Sequence, residues 1–261
     1  SVIRAELNFE NLNFANIFKP TECTDISKQV EYFRYFNGHQ TGGRLIKFDN
    51  SIYLTIGDYN TWEYVQDDKS IIGKIIKIDP DNGEYSIVTK GHRNQQGLAV
   101  FSEKEKLLIS SEHGPKGGDE INLIDLKDNL KTNNFGWPIS SYGNHYDVVP
   151  INKFTKKYAP LNKSHKEYNL KEPIKYFNPA IAPSQIIRNH FSQQNQFILS
   201  TLKKKSLFFL EVNDLNKVQI IKIIDTGNSI RDIIYDKSSN SYFMYHGNTN
   251  LPKVVKISKI N

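Results

Sequence analysis

The chain has 261 residues, of which 38% are hydrophobic and 24% charged, and its formal net charge is +6. This length suits one large domain or two small ones, and the composition excludes global disorder because a packed core can form. No apolar run approaches the roughly 18 residues of a membrane span. The lysines are dispersed rather than interleaved with aromatics, so the basic charge favours a solvated surface over nucleic-acid binding.

Short runs of strand length follow one another along the chain, rich in β-branched and aromatic residues and bounded by turn residues. Two runs come first, at residues 2–7 and 14–18. Four sets of strands follow, at residues 45–48, 52–56, 74–78 and 85–88; at 97–101, 107–110 and 120–124, with a less regular fourth strand; at 185–188, 196–200, 207–212 and 218–224; and at 232–235, 241–245 and 254–257.

The spacing of these sets indicates a repeat. They begin near residues 45, 97, 185 and 232, so two of the three steps are about 50 residues long. Four strands per unit at such a period is typical of a β-propeller, although the pattern alone leaves a β-sandwich open. The longer step contains residues 129–179, rich in Asn, Lys, Tyr and Pro, which we expect to form a long loop insertion on one face.

We therefore predict an all-β chain, a single β-propeller domain over residues 1–261 with about four and a half blades. A propeller cannot close with so few strands before residue 45, because open sheet edges would remain. We expect part of the N-terminal blade to be missing. The chain begins with Ser1 and carries no signal peptide, so we also expect that an upstream segment has been removed.

Polar clusters lie where predicted strands begin or end, the positions from which propeller loops converge on the central channel. The stretch GHQTGGRL presents His39, and TIGDYN presents Asp58. A carboxylate near a histidine can hold its tautomer and raise its basicity, as a general base requires. Taken singly, a histidine of this kind is also typical of a surface, and the aspartate of a turn.

Three further clusters complete this pattern. GHRNQQG presents Arg93 and Asn94, whose guanidinium and amide suit carboxylate or carbonyl oxygens. SSEHGPKGGDEINLI, from residue 110, packs charged groups and an imidazole around three glycines and a proline. GNSIRD presents Arg231, and Lys203 lies in a lysine triplet that in isolation is typical of a solvated turn.

Together these pieces resemble the glucose/sorbosone dehydrogenase family, the soluble aldose sugar dehydrogenases, which are six-bladed propellers using pyrroloquinoline quinone (PQQ). The matching stretches occur in family order between residues 39 and 236: HQTGGRL, YLTIGD, IIGKIIKIDPDNG, GHRNQQGLAV, SEHGPKGGDEINLI, NNFGWP, NPAIAPS and SIRDIIYD. The resemblance implies oxidation of an aldose sugar by hydride transfer to the quinone, with calcium assistance. In this reaction His39 is the general base, Asp58 orients it, and Arg93 stabilises charge on the quinone oxygen.

The resemblance also assigns the binding residues. Calcium is held by backbone carbonyls of Gly114 and Pro115, oxygen ligands that suit a hard cation. The roles of Asp119 and Glu120 stay open between bracing this loop and holding a second calcium. PQQ carries three carboxylates, and its contacts are assigned to Arg93, Asn94, His113, Lys203 and Arg231.

Two other functions remain open on the sequence. One is a non-catalytic propeller binding module, against which the presence of His39, Asp58, Arg93 and Arg231 argues. The other is a calcium-dependent hydrolase of the lactonase type, which would need carboxylates on a central metal. The resemblance further implies a periplasmic or secreted protein whose partners are a small-molecule sugar and an electron acceptor, with neither nucleic acid nor a membrane span involved.

Overall fold

The computed structural model describes residues 1–6, 10–21, 38–129, 131, 133–192, 195–213, 217–247 and 252–259. These residues form five antiparallel sheets with few helices. The first sheet has two strands, β1 (Val2–Ala5) and β2 (Phe14–Phe18). The second has β3 (Gly42–Phe48), β4 (Ser51–Ile56), β5 (Lys74–Ile78) and β6 (Tyr85–Lys90), with the short helix α1 (Trp62–Val65) between β4 and β5.

The remaining three sheets follow in chain order. One contains β7 (Gln95–Ser102), β8 (Leu107–Glu112), β9 (Asp119–Asp125) and β10 (Lys175–Phe177). The next contains β11 (Pro183–Arg188), β12 (Gln196–Thr201), β13 (Ser206–Val212) and β14 (Val218–Asp225). The last contains β15 (Ile230–Asp236), β16 (Ser241–His246) and β17 (Lys253–Ser258).

The sheets stand side by side as propeller blades. Each four-stranded sheet is a simple meander in which sequential strands pair, and the first strands β3, β7, β11 and β15 pack against one another in that order. The described residues therefore form four blades and a two-stranded sheet. This confirms the predicted all-β, incomplete propeller and excludes the β-sandwich alternative.

Apolar side chains fill each interface between neighbouring sheets. The interface between the second and third blades buries the largest cluster, which includes Ile109, Ile186, Phe197 and Phe208. The same arrangement recurs between the first two blades, around Leu98. Because each blade buries one face on the next, the β-branched and aromatic residues of the strands are the source of the fold's stability.

The first strand of every blade begins with an irregularity in its pairing. The register shifts between Gly42 and Leu45 in β3, between Gln95 and Gly97 in β7, between Pro183 and Ile186 in β11 and between Ile230 and Asp232 in β15. In β3, β7 and β15 the predicted strand begins at the residue after the shift, and in β11 it begins within the shift, at residue 185. Bulged residues do not follow the apolar alternation, so the pattern misses them. Bulges of this kind re-aim side chains and are frequent next to active sites.

The segment between β9 and β10 was expected to be a loop insertion over 129–179. Its described residues include helix α2 (Lys153–Tyr158) and a 3₁₀ turn, Lys166–Tyr168, and β10 itself lies near its end and pairs with β9. Trp137 and Val149 of this segment pack with α1 in one apolar cluster, which holds the segment over the first blade. Among the described residues, no helix has the length and apolar character needed to cross a bilayer.

Candidate functional site

The blade topology explains why the candidate residues meet. In an antiparallel blade, the beginning of the first strand and the end of the second lie at the same end of the sheet. The candidates occupy both positions in the first two blades and one position in each of the other two. They are His39 before β3, Asp58 after β4, Arg93 and Asn94 before β7, His113, Gly114 and Pro115 after β8, Lys203 after β12, and Arg231 at the start of β15. One face of the propeller therefore carries all of them.

Asp58 lies fully buried beneath this face. One carboxylate oxygen accepts a hydrogen bond from the Trp137 indole Nε1 at 2.8 Å, and the other from the Asn60 backbone N–H at 2.9 Å. Burial raises the pKa of Asp58 from 3.8 to about 6, although the nearby Arg93 charge and both hydrogen bonds oppose this. Its predicted role as the orienting partner of His39 stays a prediction.

Gln40 links the buried carboxylate to the guanidinium of the next blade. In the amide orientation that satisfies both ends of its side chain, Gln40 donates to Asp58 Oδ1 at 2.8 Å and accepts from Arg93 Nη2 at 2.8 Å. Gln40 directly follows His39, so this bridge anchors the loop that carries the histidine.

Arg93 is buried and faces the loop predicted to hold calcium. Its Nη1 donates to the Gly114 carbonyl at 2.6 Å and to the His113 carbonyl at 3.2 Å, and its guanidinium lies 5.4 Å from the Trp137 ring centroid. The Gly114 carbonyl therefore accepts a charge-assisted hydrogen bond that ties the loop after β8 to the start of β7.

His113 follows β8 and is oriented by the third blade. Its Nε2 contacts the Pro183 carbonyl at 2.7 Å, and because a carbonyl only accepts, this nitrogen carries the hydrogen. Burial lowers the pKa of His113, and the charges of Arg93 and Arg231 lower it further, against the opposing effect of Asp119.

Asn94 and Asp119 act within the framework that holds these loops. Asn94 Oδ1 accepts from the Gly42 backbone N–H at 3.1 Å, so it joins the first two blades at their bulged inner ends. Asp119 is buried, and its Oδ1 accepts from the Gly114 N–H at 3.0 Å. Its Oδ2 accepts from the Ile181 and Ala182 N–H groups, each at 2.7 Å.

The contacts of Asp119 connect two candidate loops. The carbonyls of residues 181 and 182 in turn accept from Lys204 at 3.3 Å and Leu202 at 2.8 Å. These residues flank Lys203, whose side chain is exposed. Bracing of the loop after β8, one of the two roles left open for Asp119, is therefore the role that its hydrogen bonds support.

A cavity of about 270 Å³ opens among the candidates. His39, Arg93 and Pro115 line it together, which brings one candidate from the first blade and two from the second into a common space. Its remaining walls are polar and aromatic side chains of the first blade and of the segment after β9, namely Gln40, Asn60, Trp62, Trp137, His145, Tyr146 and Val149. Lys203 and Arg231 do not line this cavity.

A buried polar network supports the site from below. Glu112 Oε2 contacts His92 Nδ1 at 2.7 Å, and Glu112 Oε1 accepts from the Arg93 N–H at 3.3 Å. Asn122 Nδ2 donates to Glu112 at 3.4 Å and to Glu120 at 3.3 Å. Burial raises the pKa of Glu120 well above its usual range, and the Glu112 charge raises it further.

The residues fit the groups that the resemblance implies. The turn after Gly114 is so tight that a Cβ there would lie 2.2 Å from the Gly118 carbonyl oxygen and 2.5 Å from that of Gly117, so only glycine fits and the backbone stays uncovered by a side chain at this position. No group of three or more His, Cys, Asp or Glu among the described residues could hold a metal by itself. A cation on the Gly114 and Pro115 carbonyls would therefore complete its shell with oxygens of a bound cofactor.

Sequence reasoning missed several contributors to this site. Gln40 and Glu112 are direct neighbours of His39 and His113 in the quoted motifs, so motif adjacency was an available signal. Trp137 stands in the matched NNFGWP stretch, but no local pattern indicates its bond to a carboxylate 79 residues away. Trp62 and His145 carried no signal, because they reach the cavity only through the packing of the segment after β9.

Comparison with known proteins places these features in a family. The glucose/sorbosone dehydrogenase family model matches residues 17–253. The chain is 29% identical over 236 residues to the aldose sugar dehydrogenase YliI of Escherichia coli (strain K12), covering 80% of this chain and 60% of the relative. It is 38% identical over 130 residues to quinoprotein glucose dehydrogenase B of Acinetobacter calcoaceticus, covering 38% of this chain and 26% of the relative.

A solved structure supports the fold. The PQQ-bound form of aldose sugar dehydrogenase from Streptomyces coelicolor matches with a TM-score of 0.60 at 19% identity, over 84% of this chain and 61% of that chain. This chain spans 60% of the length of the E. coli relative. Because the family model matches residues 17–253 of a 261-residue chain, the protein belongs to the glucose/sorbosone dehydrogenase family.

Proposed function

We propose that the protein oxidises aldose sugars by hydride transfer to PQQ, with calcium assistance. The observation that carries this proposal is the convergence of His39, Arg93 and Pro115 on one cavity. The family assignment supports it, as do the sugar dehydrogenase names of the E. coli and A. calcoaceticus relatives and the PQQ bound to the S. coelicolor protein. By the same likeness we propose a periplasmic or secreted location.

The binding roles follow from charge and position. The carbonyls of Gly114 and Pro115 would hold calcium. The cofactor is an anion with three carboxylates, and the residues that would contact it are Arg93, Asn94, His113, Lys203 and Arg231. When bound, PQQ would supply the hydride acceptor, and calcium would supply a positive charge that polarises oxygen. The exposed side chains of Lys203 and Arg231 are available for anionic groups at the rim of the site.

Proton transfer falls to His39, an imidazole that lines the cavity and belongs to the side-chain type most often used as a general base. Its imidazole takes the proton from a sugar hydroxyl while a hydride leaves the carbon that bears this hydroxyl. Asp58 is an anion above about pH 6, and it stabilises positive charge that develops nearby. Arg93 donates hydrogen bonds towards oxygen atoms in which negative charge accumulates.

The two alternative functions have less support. A lactonase-type hydrolase would require carboxylates gathered around a central metal, whereas the described residues contain no such acidic cluster. A binding module without catalysis would not require a histidine and a buried guanidinium in one cavity. Both alternatives predict that a bound quinone is not reduced by sugar.

The test is quinone reduction by sugar, followed by absorbance after rapid mixing with PQQ-loaded, calcium-loaded protein. His39→Ala should slow hydride transfer by about 10²–10⁴-fold, the usual contribution of positioned proton transfer. Its affinity for PQQ should stay close to that of the wild type, because the predicted cofactor contacts lie on other residues. A His39→Ala protein that reduces its quinone at the wild-type rate would show that another group is the base.

A further inference from the structure

The outer wall of the cavity comes from the segment between β9 and β10. His145, Tyr146 and Val149 of this segment line the cavity together with His39. His145 is the imidazole of this wall, and the predicted chemistry gives it no role.

The geometry of His145 specifies which of its nitrogens is available. Its Nε2 contacts the Ala159 carbonyl at 2.8 Å, and because a carbonyl only accepts, Nε2 carries the hydrogen. Burial lowers the pKa of His145, and the Lys163 charge lowers it further, so the ring is neutral at pH 7. Nδ1 therefore presents a lone pair that accepts hydrogen bonds.

The environment of this nitrogen suits a bound hydroxyl. Among the described residues no group donates to His145 Nδ1, and it is not one of the buried polar atoms that lack a partner, so it is accessible. The ring is held against Trp62, with centroids 5.5 Å apart. Trp62 in turn packs edge-on against Trp137, with centroids 6.1 Å apart at 89°.

The combination of an acceptor with aromatic walls fits a sugar. A pyranose ring presents apolar C–H faces that pack on aromatic rings, and hydroxyls at its rim that need acceptors as well as donors. Arg93 offers only donors to the cavity, so the acceptor nitrogen of His145 complements it. Sites of this kind combine aromatic surfaces with a few placed polar groups that fix ligand orientation.

We propose that His145 is a substrate-contact residue, with Nδ1 accepting a hydrogen bond from one hydroxyl of an aldose that packs against Trp62. The inference rests on the proposed function for the identity of the ligand as a sugar. It adds that the segment after β9 takes part in selecting the substrate.

Sugar binding can be measured without any reaction. The chain has two tryptophans, and both line this cavity, so intrinsic tryptophan fluorescence reports on it directly. Glucose is titrated into wild type, His145→Phe, which keeps a planar ring without the acceptor, and His145→Asn, which offers an amide acceptor. His190→Phe is the matched control, because His190 stacks on Tyr235 at 4.0 Å outside the cavity.

His145→Phe should weaken glucose binding by about 3- to 10-fold, the usual effect of losing one hydrogen bond, whereas His145→Asn and His190→Phe should bind more like wild type. In the PQQ-loaded enzyme, His145→Phe should raise KM with kcat nearly unchanged. Among the monodeoxy-glucoses, one should lack the hydroxyl that contacts His145. Wild type should bind this sugar more weakly than it binds glucose, whereas His145→Phe should bind the two sugars equally well. A merely structural role would not produce this coupling to a single hydroxyl.

The results separate this inference from the proposed function. Wild-type protein that binds glucose but never reduces its quinone would overturn the proposed oxidation and leave the contact supported. Equal glucose affinity of wild type and His145→Phe, no fluorescence response to glucose in wild type, or no deoxy-sugar coupled to the substitution would each overturn the role of His145.

Discussion

Replacement of Asp58 by Asn removes a buried charge whose electrostatic cost can be read from the structure. The carboxyl is fully buried, and its hydrogen bonds from Trp137 and Asn60 and the nearby Arg93 charge offset only part of the loss of hydration. Its pKa is therefore raised from 3.8 to about 6. The substituted amide has nearly the same shape but does not titrate.

The size and direction of the pH effect follow from these two values. A difference of about two pH units corresponds to about 3 kcal/mol. Below about pH 4 the carboxyl is protonated in both the folded and the unfolded states. Between about pH 4 and 6 the folded state retains the proton that the unfolded chain releases, so the free energy of unfolding falls as the pH rises. Above about pH 6 the carboxylate is ionised in both states, and its burial lowers the free energy of unfolding by the full amount.

Denaturant unfolding of wild type and Asp58→Asn between pH 4 and 8 measures this contribution. The free energy of unfolding of wild type minus that of the variant should fall by about 3 kcal/mol from pH 4 to pH 7. The altered hydrogen bonds to Trp137 and Asn60 shift the difference by a constant, so its slope is the diagnostic. Asp49→Asn, at an exposed carboxylate paired with Lys106, is the control and should show little pH dependence. If the difference in unfolding free energy between wild type and Asp58→Asn does not change with pH, the reasoning is refuted.

Three further outcomes are expected. Lys203→Ala and Arg231→Ala should each weaken PQQ binding by about 1.5–3 kcal/mol, measured by titration of cofactor-free protein, whereas Lys204→Ala should not; unchanged affinity in the first two would remove them from the cofactor site. Calorimetric titration should find calcium bound weakly without PQQ and tightly with it, because carbonyls alone leave its shell incomplete; equal affinities would indicate a site made by protein ligands. Arg44 Nη1 contacts Asp232 at 3.0 Å between the first and fourth blades. A double-mutant cycle of Arg44→Met and Asp232→Asn, measured by unfolding, should therefore give a coupling energy of about 0.5–1 kcal/mol. Additive effects of the two substitutions would contradict a direct contact.

Local patterns in the sequence were sufficient to predict where the strands lie. Alternation of apolar and polar residues, ended by turn residues such as those at 81–83, depends on a few neighbouring positions, and each predicted run lies within or overlaps an observed strand. The exceptions are informative. The inner ends of β3 and β7 were predicted to begin at residues 45 and 97, and in each case the missed residues precede a register shift. Bulges break the alternation, so the positions that face the site are those where the pattern is weakest.

Local sequence motifs also identified some of the residues of the site. His39, Arg93, His113 and Gly114 stand in short motifs at strand ends, and their order along the chain is enough to assign them to one face once strands alternate in direction. The sequence could not show what they contact. The bond from Arg93 to the Gly114 carbonyl spans 21 residues and the bond from Asp119 to the Ile181 N–H spans 62.

The longest contacts depend on how the blades pack side by side around a common channel. Arg44 and Asp232 are 188 residues apart, yet their side chains meet because the first and fourth blades both present their inner strands to that channel. Strand propensity is set by each residue and its neighbours, whereas the pairing of distant side chains is set by how many blades lie between them and by the packing angle of each interface. The sequence by itself therefore determined the strands and the order of the motifs. Only the packing of the blades determined the walls of the cavity, the burial of Asp58 and the position of His145.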